Sequence, residues 1–310
     1  MIDISIIILS YNGRELLVRT LDSVQRSMPE GLSVETIVSD NGSTDGSIEL
    51  VKQQYSWVRL LENGENLGFS KGNNCAVAMA SGKYVLFLNS DTEVYPGCIK
   101  YIYEQLEKDS SIGIATCRVE LSNGEVDPAS HRGFPTPWRA FTYFSGLERL
   151  AVKAHFPAGL KYLLGGYHLV EKDLQTSHEI DSCTGAFFMI SRIVGEKVGW
   201  WSEEYFMYGE DLDFCFKVKK LGLKVMYFPQ FKILHLKHAS GLKKNLSSVK
   251  QSPEEIEKVH KIKRRTTSAF YDSMITFYEK FYKDTYPAIV RYAVYWLVGM
   301  KKWYALSKIS

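Results

Sequence analysis

Residues 4–13 read ISIIILSYNG, a mostly β-branched run that ends in a polar turn. The run predicts a buried strand over residues 4–9. Apolar positions with helical spacing follow the turn, at Leu17, Leu21, Val24 and Met28. The opening of the chain therefore predicts a strand, a loop and a helix in that order.

The same unit repeats as far as residue 88. Strands are predicted at residues 34–38, 58–61 and 84–88, and a loop at residues 68–72. One helix is predicted to carry Ile48, Leu50 and Val51, and another to cover residues 73–80. Near-continuous apolar strands that alternate with helices require a parallel sheet covered on both faces. The sequence therefore predicts an α/β fold with a Rossmann-like, mostly parallel sheet flanked by helices.

The second half of the chain is less regular. Prolines, glycines and aromatic residues interrupt any clean period between residues 130 and 178, which indicates a substrate-facing insertion with short helices. Regular elements are predicted again at residues 183–190 (strand), 210–221 (helix) and 224–228 (strand).

Length, charge and cysteine content limit the classes of protein to which the chain can belong. The chain has 310 residues, 45% of them hydrophobic, which is enough for one large α/β domain plus an appendage. Its 38 basic and 35 acidic side chains nearly balance, so we expect no nucleic-acid partner. The five cysteines are scattered, without C-x-x-C spacing, and residues 1–9 carry no positive leader. A reducing cytoplasm is therefore the expected location.

Polar clusters follow three of the predicted strands. They are Ser10-Tyr11-Asn12, Asp40-Asn41-Gly42 and Asn89-Ser90-Asp91. Each alone is an ordinary turn sequence. Because ligands bind beyond the carboxyl ends of parallel strands, three clusters on one edge favour a shared binding cleft. The carboxylate of Asp91 suits Mg²⁺ or Mn²⁺, which take one or two protein carboxylates and the oxygens of a bound diphosphate.

A second group of acids lies at the start of the helix predicted at residues 210–221. Glu210, Asp211 and Asp213 occupy its first turn, where the helix dipole alone favours acidic side chains. Aromatic neighbours such as Trp200 and Tyr208 would desolvate the carboxylates and raise their pKa values toward the range of a general base. His235 follows an apolar run, with His238 and Ser240 close behind, and is either a structural hydrogen-bonding group or a metal ligand.

Taken together, six short motifs resemble those of the family-2 glycosyltransferases, particularly the rhamnosyltransferase-like branch. The motifs read SIIILSYN at residues 5–12, DNGSTD at 40–45, NLGF at 66–69, NSD at 89–91, TGA at 184–186 and GEDLD at 209–213. Their order and spacing match over about residues 3–245. Each motif is short, but the ordered set is specific.

The resemblance implies a GT-A fold, a nucleotide-sugar donor, a divalent cation, Mg²⁺ or Mn²⁺, and inversion at the anomeric carbon. Asp40 matches the aspartate that binds the pyrimidine base, Asp91 the metal-binding aspartate, Asp211 the catalytic base and His235 a second metal ligand, with Ser240 beside it. The residues expected to bind the nucleotide-sugar are Ser10, Tyr11, Asn12, Asp40, Asn41, Asn66, Gly68, Lys71, Asn89, Ser90 and Asp91. The residues expected to support the acceptor site are Gly185, Trp200, Tyr208, Glu210 and Asp213.

Composition changes again after residue 245. Basic residues at 258–265 precede an aromatic-rich helical stretch, and the apolar segment at residues 288–300 is interrupted by Arg291 and followed by Lys301, Lys302 and Trp303. This segment is too short to span a bilayer. Its aromatic and basic residues suit the inner surface of the cell membrane, to which we expect peripheral attachment. A dimerisation helix and a helix packed on the domain are the alternatives.

These observations predict a division of the chain into residues 1–245, the glycosyltransferase domain, and residues 246–310, a helical extension. Within the domain, residues 1–120 are expected to bind the nucleotide-sugar and residues 121–245 the acceptor. The expected reaction moves a sugar, rhamnose by resemblance, onto a saccharide or polyprenyl-linked saccharide in cell-surface polysaccharide synthesis. A nucleotidyltransferase and a non-catalytic nucleotide-sugar-binding protein are the competing interpretations.

Overall fold

The computed structural model describes residues 2–237 and 253–309. Its strands form one sheet, and a short 3₁₀ helix at Pro128–Ser130 lies between the sixth and seventh strands. In chain order the strands are β1 (Ile4–Ser10), β2 (Val34–Asp40), β3 (Val58–Glu62), β4 (Tyr84–Asn89), β5 (Thr92–Val94), β6 (Ile112–Leu121), β7 (His178–Ile180), β8 (Phe187–Ser191) and β9 (Lys224–His235).

The sheet has a parallel half and a mixed half. Strand β1 pairs in parallel with β2 and β4, and β2 pairs in parallel with β3. Beyond β4, strand β8 runs antiparallel between β4 and β6, while β9 is parallel to β6 and antiparallel to β5 and β7. The predicted α/β sheet is confirmed. The expectation that it is mostly parallel holds for β1 to β4, whereas the second half of the chain adds antiparallel strands.

Helices cover both faces of the sheet. In chain order they are α1 (Arg14–Arg26), α2 (Ser47–Gln54), α3 (Phe69–Val77), α4 (Cys98–Lys108), α5 (Pro137–Ser145), α6 (Leu147–Lys153), α7 (Ala158–Leu164), α8 (Arg192–Val198), α9 (Glu210–Lys220), α10 (Pro253–Phe281) and α11 (Ala288–Ser307).

Strand β1 shows why two helical layers are required. Side chains alternate across a strand. Ile6 and Ile8 lie in a core shared with α1 and α4, whereas Ile7 lies in a second core shared with α3 and α9. All three isoleucines are fully buried, so the strand is stable only with a helix layer on each face.

The last two helices pack on α9 rather than standing apart. A third apolar cluster joins Leu212 of α9 to Phe277 and Tyr278 of α10 and to Tyr282, which directly follows α10. The fully buried carboxylate of Asp213 adds an ion pair, 2.8 Å from Nζ of Lys280. The C-terminal helices thus share a core with α9. The division of the chain at residue 245 stays a prediction.

Several element boundaries differ from those predicted. Helix α3 begins at Phe69, inside the segment predicted as a loop, and the strand predicted from residue 183 begins at Phe187. Strand β9 continues to His235, well past the predicted end at residue 228. His238 and Ser240 lie outside the described residues. None of the helices in residues 2–237 and 253–309 is long and apolar enough to cross a membrane.

Candidate active site

A cavity of about 940 Å³ opens beyond the carboxyl ends of β1, β2 and β4. Polar groups from both halves of the chain line it, including both of the acids, Asp91 and Asp211, on which the sequence prediction of catalysis depends. The predicted site residues in its wall are Ser10, Tyr11, Asn41, Asn66, Gly68, Asn89, Ser90, Asp91, Gly185, Tyr208, Glu210, Asp211 and His235. The loops that end the core strands therefore do converge on one pocket.

Two predicted nucleotide-binding residues, Asn12 and Asp40, neighbour residues of the cavity lining but do not line the cavity themselves. Asn12 has a positive φ of 48°, and its Oδ1 accepts a 2.8 Å hydrogen bond from the backbone N–H of Thr44. Asp40 is buried at the end of β2, where Oδ1 accepts a 2.7 Å hydrogen bond from the N–H of Ser43. Its other oxygen, Oδ2, has no hydrogen-bond partner among the described residues.

The remaining predicted residues lie outside the lining of the cavity in the part of the chain that the structure describes. Lys71 is exposed on α3. Trp200 packs its indole against Phe87 with ring centroids 6.2 Å apart, so it belongs to the core rather than to the acceptor pocket. Asp213 points away from the cavity toward α10, where it pairs with Lys280. Residues two apart on a helix do not face the same side, so Asp211 and Asp213 lie on different faces of α9.

The histidine at the end of β9 lies between two carboxylates. Nε2 of His235 is 3.2 Å from Oδ1 of Asp91, and Nδ1 is 2.9 Å from Oδ2 of Asp127. Asp127 is fully buried and also lies 3.1 Å from Nζ of Lys237. The arrangement fixes the imidazole in one orientation, with Nε2 directed at the carboxylate that lines the cavity.

Protonation of this cluster follows from its charges. Burial disfavours the imidazolium of His235, but hydrogen bonds to Asp127 and Asp91 prevail and raise its pKa to about 9. Burial likewise opposes the charge on Asp127, yet the hydrogen bond from His235 and the charge of Lys237 hold the pKa of its carboxyl well below the usual value. Without a cation, the cluster is stabilised as a protonated histidine between two carboxylates.

The donor atoms of this cluster fit a divalent cation. A carboxylate oxygen and an imidazole nitrogen converge at the cavity wall, and Asp127 supplies the outer carboxylate that orients metal-binding histidines. No group of three or more His, Cys, Asp or Glu side chains in residues 2–237 and 253–309 could enclose a metal by itself. A cation bound here would therefore need further oxygens from its ligand, as Mg²⁺ and Mn²⁺ take from diphosphates.

A second charged pair lies at the start of α9. Nη2 of Arg132 donates a 2.6 Å hydrogen bond to Oδ2 of Asp211, and both side chains are almost buried. Burial opposes the positive charge of the Arg132 guanidinium, but the neighbouring carboxylate of Asp211 raises the pKa of this group. Oδ1 of Asp211 accepts a 2.7 Å hydrogen bond from the N–H of Leu212. The carboxylate of Asp211 is thus held in one position at the cavity wall.

The neighbouring acid is in a different state. Glu210 also lines the cavity, but its Oε2 is buried and without a partner among the described residues. Burial, together with the charge of Asp211, raises the pKa of Glu210 to about 8. The two adjacent acids therefore divide into one ion-paired carboxylate and one carboxyl group that keeps its proton near neutral pH.

Sequence reasoning missed Asp127, Arg132 and Lys237. Asp127 and Arg132 lie in the irregular segment after β6, where no sequence pattern distinguishes an aspartate of the site from an ordinary turn aspartate. Asp127 even accepts a 3.0 Å hydrogen bond from the N–H of Ala129 at the start of the 3₁₀ helix, which is the usual role of such a residue. Their pairing with His235 and Asp211, 108 and 79 residues away, is visible only in the folded chain.

A second part of the cavity lining is an apolar wall. It is built from α5, α10 and α11, which lie outside the motifs that define the polar wall. Its members include Phe141, Phe144, Phe270, Met274, Leu297 and Val298. The pocket thus combines a charged half and a hydrocarbon half.

Comparison with known proteins places this geometry in a family. The sequence model of glycosyl transferase family 2 matches residues 5–194. The N-acetylglucosaminyl-diphospho-decaprenol L-rhamnosyltransferase of Mycobacterium tuberculosis is 25% identical over 257 residues, which cover 76% of this chain and 77% of that protein. The rhamnosyltransferase WbbL of Escherichia coli K12 is 22% identical, over 75% of this chain and 83% of its own length.

Solved structures share the fold. The mannosyltransferase PcManGT from Pyrobaculum calidifontis, in complex with GDP-Man and Mn²⁺, superposes with a TM-score of 0.56 at 16% identity and covers 99% of this chain and 72% of its own. GalNAc-T7 with UDP, GalNAc and Mn²⁺ gives the same TM-score and identity over 76% of this chain and 44% of its own. The predicted GT-A fold and rhamnosyltransferase-like resemblance are confirmed, and the chain, a glycosyltransferase, belongs to glycosyl transferase family 2.

Proposed function

We propose that the chain moves a sugar, with inversion, from a nucleoside-diphosphate sugar to a hydroxyl of a polyprenyl-linked saccharide in cell-surface polysaccharide synthesis. One observation carries the proposal: Asp91, the proposed cation-binding acid, and Asp211, the proposed base, line the same cavity. Rhamnose is the proposed sugar and a polyprenyl diphosphate the proposed carrier, because two relatives are named as rhamnosyltransferases and one of them for a diphospho-decaprenol substrate.

The donor would lie along the ends of the parallel strands. Ser10, Tyr11 and Asn41 line that part of the cavity, and Asp40 buries an unpartnered carboxylate oxygen directly behind it. A buried acceptor without a partner is costly, so a ligand N–H that reached Oδ2 would be bound selectively. This is the chemistry expected of the N–H of a pyrimidine base. Asn66, Gly68 and the exposed Lys71 would border the ribose and phosphates.

The diphosphate would be held at Asp91 and His235. With Mg²⁺ or Mn²⁺ bound there, positive charge would stabilise the diphosphate as the sugar departs. Asp127 would keep the proton on Nδ1 of His235, so that Nε2 presents its lone pair to the cation. Two neighbours by fold, PcManGT and GalNAc-T7, were solved with Mn²⁺.

The acceptor hydroxyl would lose its proton to Asp211. Arg132 and the N–H of Leu212 each occupy one lone pair of this carboxylate, which orients it and leaves a lone pair facing the cavity. Glu210 would keep its own proton and hydrogen-bond the acceptor rather than compete as a base. Proton removal as the sugar is attacked from the face opposite the diphosphate gives inversion.

Attachment to the inner face of the cell membrane is part of the proposal. Helix α11 exposes Tyr292, Trp296, Trp303 and Tyr304, of which Trp303 is 72% accessible. Lys302 lies on the same helix, and Lys308 follows its last residue as the C-cap. Aromatic and basic side chains on one helix are typical of binding at an anionic lipid surface.

Two substitutions separate the proposed roles of the acids. Asp91→Ala should abolish Mn²⁺-dependent stabilisation by nucleoside diphosphates in a thermal-shift panel, because the cation loses its carboxylate ligand.

Asp211→Asn should retain that stabilisation and lose about 10²–10⁴-fold in transfer rate, the usual contribution of a general base. The exposed acid Glu49 supplies the control, since Glu49→Gln should change neither measurement. Unimpaired nucleotide binding by Asp91→Ala, or full activity of Asp211→Asn, would remove the residue from its assigned role.

The raised pKa of Glu210 predicts a pH-dependent loss of stability. Between about pH 4.5 and 8 the folded chain holds a proton that the unfolded chain releases, so the free energy of unfolding should fall as pH rises. Glu210→Gln has no such titrating group. The free energy of unfolding of Glu210→Gln, relative to that of the parent, should therefore increase across that pH range by on the order of 1–3 kcal/mol. Urea unfolding at several pH values measures it. Glu49→Gln, also in the first turn of a helix but exposed, should show no such trend. A pH-independent difference for Glu210→Gln would contradict the assignment.

Membrane attachment is tested by sedimentation with vesicles that contain anionic phospholipid. The double variant Trp296→Ser and Trp303→Ser should bind at least about tenfold more weakly than the parent, because two aromatic side chains no longer enter the interface. Ile193→Ser serves as the control, since this residue is 65% exposed on α8. Equal sedimentation of the double variant and the parent would argue against α11 as the attachment site.

A further inference from the structure

Several side chains in the apolar wall of the cavity are only partly covered by the rest of the described chain. Phe141 on α5 is 49% exposed, and Leu297 on α11 is 41% exposed, yet both line the pocket that contains Asp211. Core residues of this fold are mostly below a tenth exposed. Half-exposed apolar side chains inside a pocket gain free energy when an apolar ligand covers them.

Two helices from distant parts of the chain form this wall together. Nζ of Lys301 on α11 lies 4.7 Å from the ring centroid of Phe144 on α5, a cation–π contact that joins the two helices beside the cavity. Phe270 and Met274 of α10 continue the wall toward the start of α9. The apolar surface is thus continuous with the position of the proposed base.

A positive charge accompanies the apolar surface. Lys301 lines the cavity, and within residues 2–237 and 253–309 no carboxylate lies within ion-pair distance of its Nζ. By contrast, the neighbouring Lys302 pairs with Asp272 at 2.6 Å. A lysine left for a ligand, beside an apolar wall, suits a phosphate group attached to a hydrocarbon chain.

We infer that the wall formed by α5, α10 and α11 binds the hydrocarbon chain of the acceptor, with Lys301 at its diphosphate. The inference rests on the proposed function and deepens it, because it places the lipid inside the reaction cavity rather than wholly in the bilayer. The saccharide between the diphosphate and the reacting hydroxyl would then extend from Lys301 toward Asp211. The C-terminal helices would in this way select the carrier of the acceptor.

Binding of alkyl diphosphates of increasing chain length tests the inference without depending on transfer. The protein is first saturated with nucleoside diphosphate and Mn²⁺ so that the donor half is filled, and titration calorimetry is run without membranes or detergent. Affinity should rise about fourfold for each methylene buried, then level off when the wall is covered. Leu297→Asp should abolish this dependence on chain length, whereas Lys301→Met should weaken all members of the series by one common factor.

The matched control is Ile289→Asp, the same change on the same helix at a residue that is 78% exposed and outside the cavity. It should keep the chain-length dependence of the parent. Unchanged thermal unfolding and nucleotide binding of Leu297→Asp would show that this variant is folded. Retention of the full dependence by Leu297→Asp would overturn the inference. So would a parent dimer that Leu297→Asp converts to a monomer, since the wall would then be an interface between copies.

Transfer assays on the same chains carrying a saccharide separate the two proposals. In one outcome, Leu297→Asp loses the dependence of binding on chain length, and the parent transfers no sugar to any acceptor of the series. The lipid-binding wall would then stand, and the proposed reaction would fail. If the parent transfers sugar equally well to short and long acceptors, and Leu297→Asp does the same, the reaction stands and the subsite is wrong.

Discussion

The register of three parallel strands is the constraint on which the rest of the site depends. Ser10 lies opposite Asp40 in the pairing of β1 with β2, and Leu9 lies opposite Asn89 in the pairing of β1 with β4. All three strands therefore end at the same level, and their polar continuations enter one cavity. A slip of one residue would turn the buried isoleucines of β1 to the opposite faces, so the two cores that hold the register also align the loops.

Helix α9 connects this edge to the remainder of the chain. Its first turn carries Glu210 and Asp211 at the cavity, its next turns bury Phe214 and Val218 against the sheet, and Asp213 forms the ion pair with α10. The helix dipole favours all of the acids, but their surroundings give them different functions. One is paired with Arg132, one keeps its proton, and one anchors a helix. A motif of five residues thus serves three structural purposes at once.

Much of the donor half could be predicted from local sequence, because strand periodicity and turn chemistry act over a few residues. The strand ends at Ser10, Asp40 and Asn89 follow from pattern alone. The second half could not be predicted so well, since β6 and the antiparallel β8 depend on long-range pairing, and the insertion at residues 130–178 has no period. The partners of His235 and Asp211 were missed for the same reason. The sequence likewise does not reveal which face of α9 meets α10, so the ion pair of Asp213 with Lys280 is visible only in the folded chain.

The two walls of the cavity come from separate stretches of the gene. The polar wall is encoded mainly within the family match at residues 5–194 and in α9, while most of the apolar wall comes from helices α10 and α11 downstream. Recombination beyond the codon for His235 could therefore exchange the hydrocarbon wall and leave the strand-end chemistry intact. Such an arrangement would let evolution alter what the apolar wall binds at little cost to the residues at the strand ends.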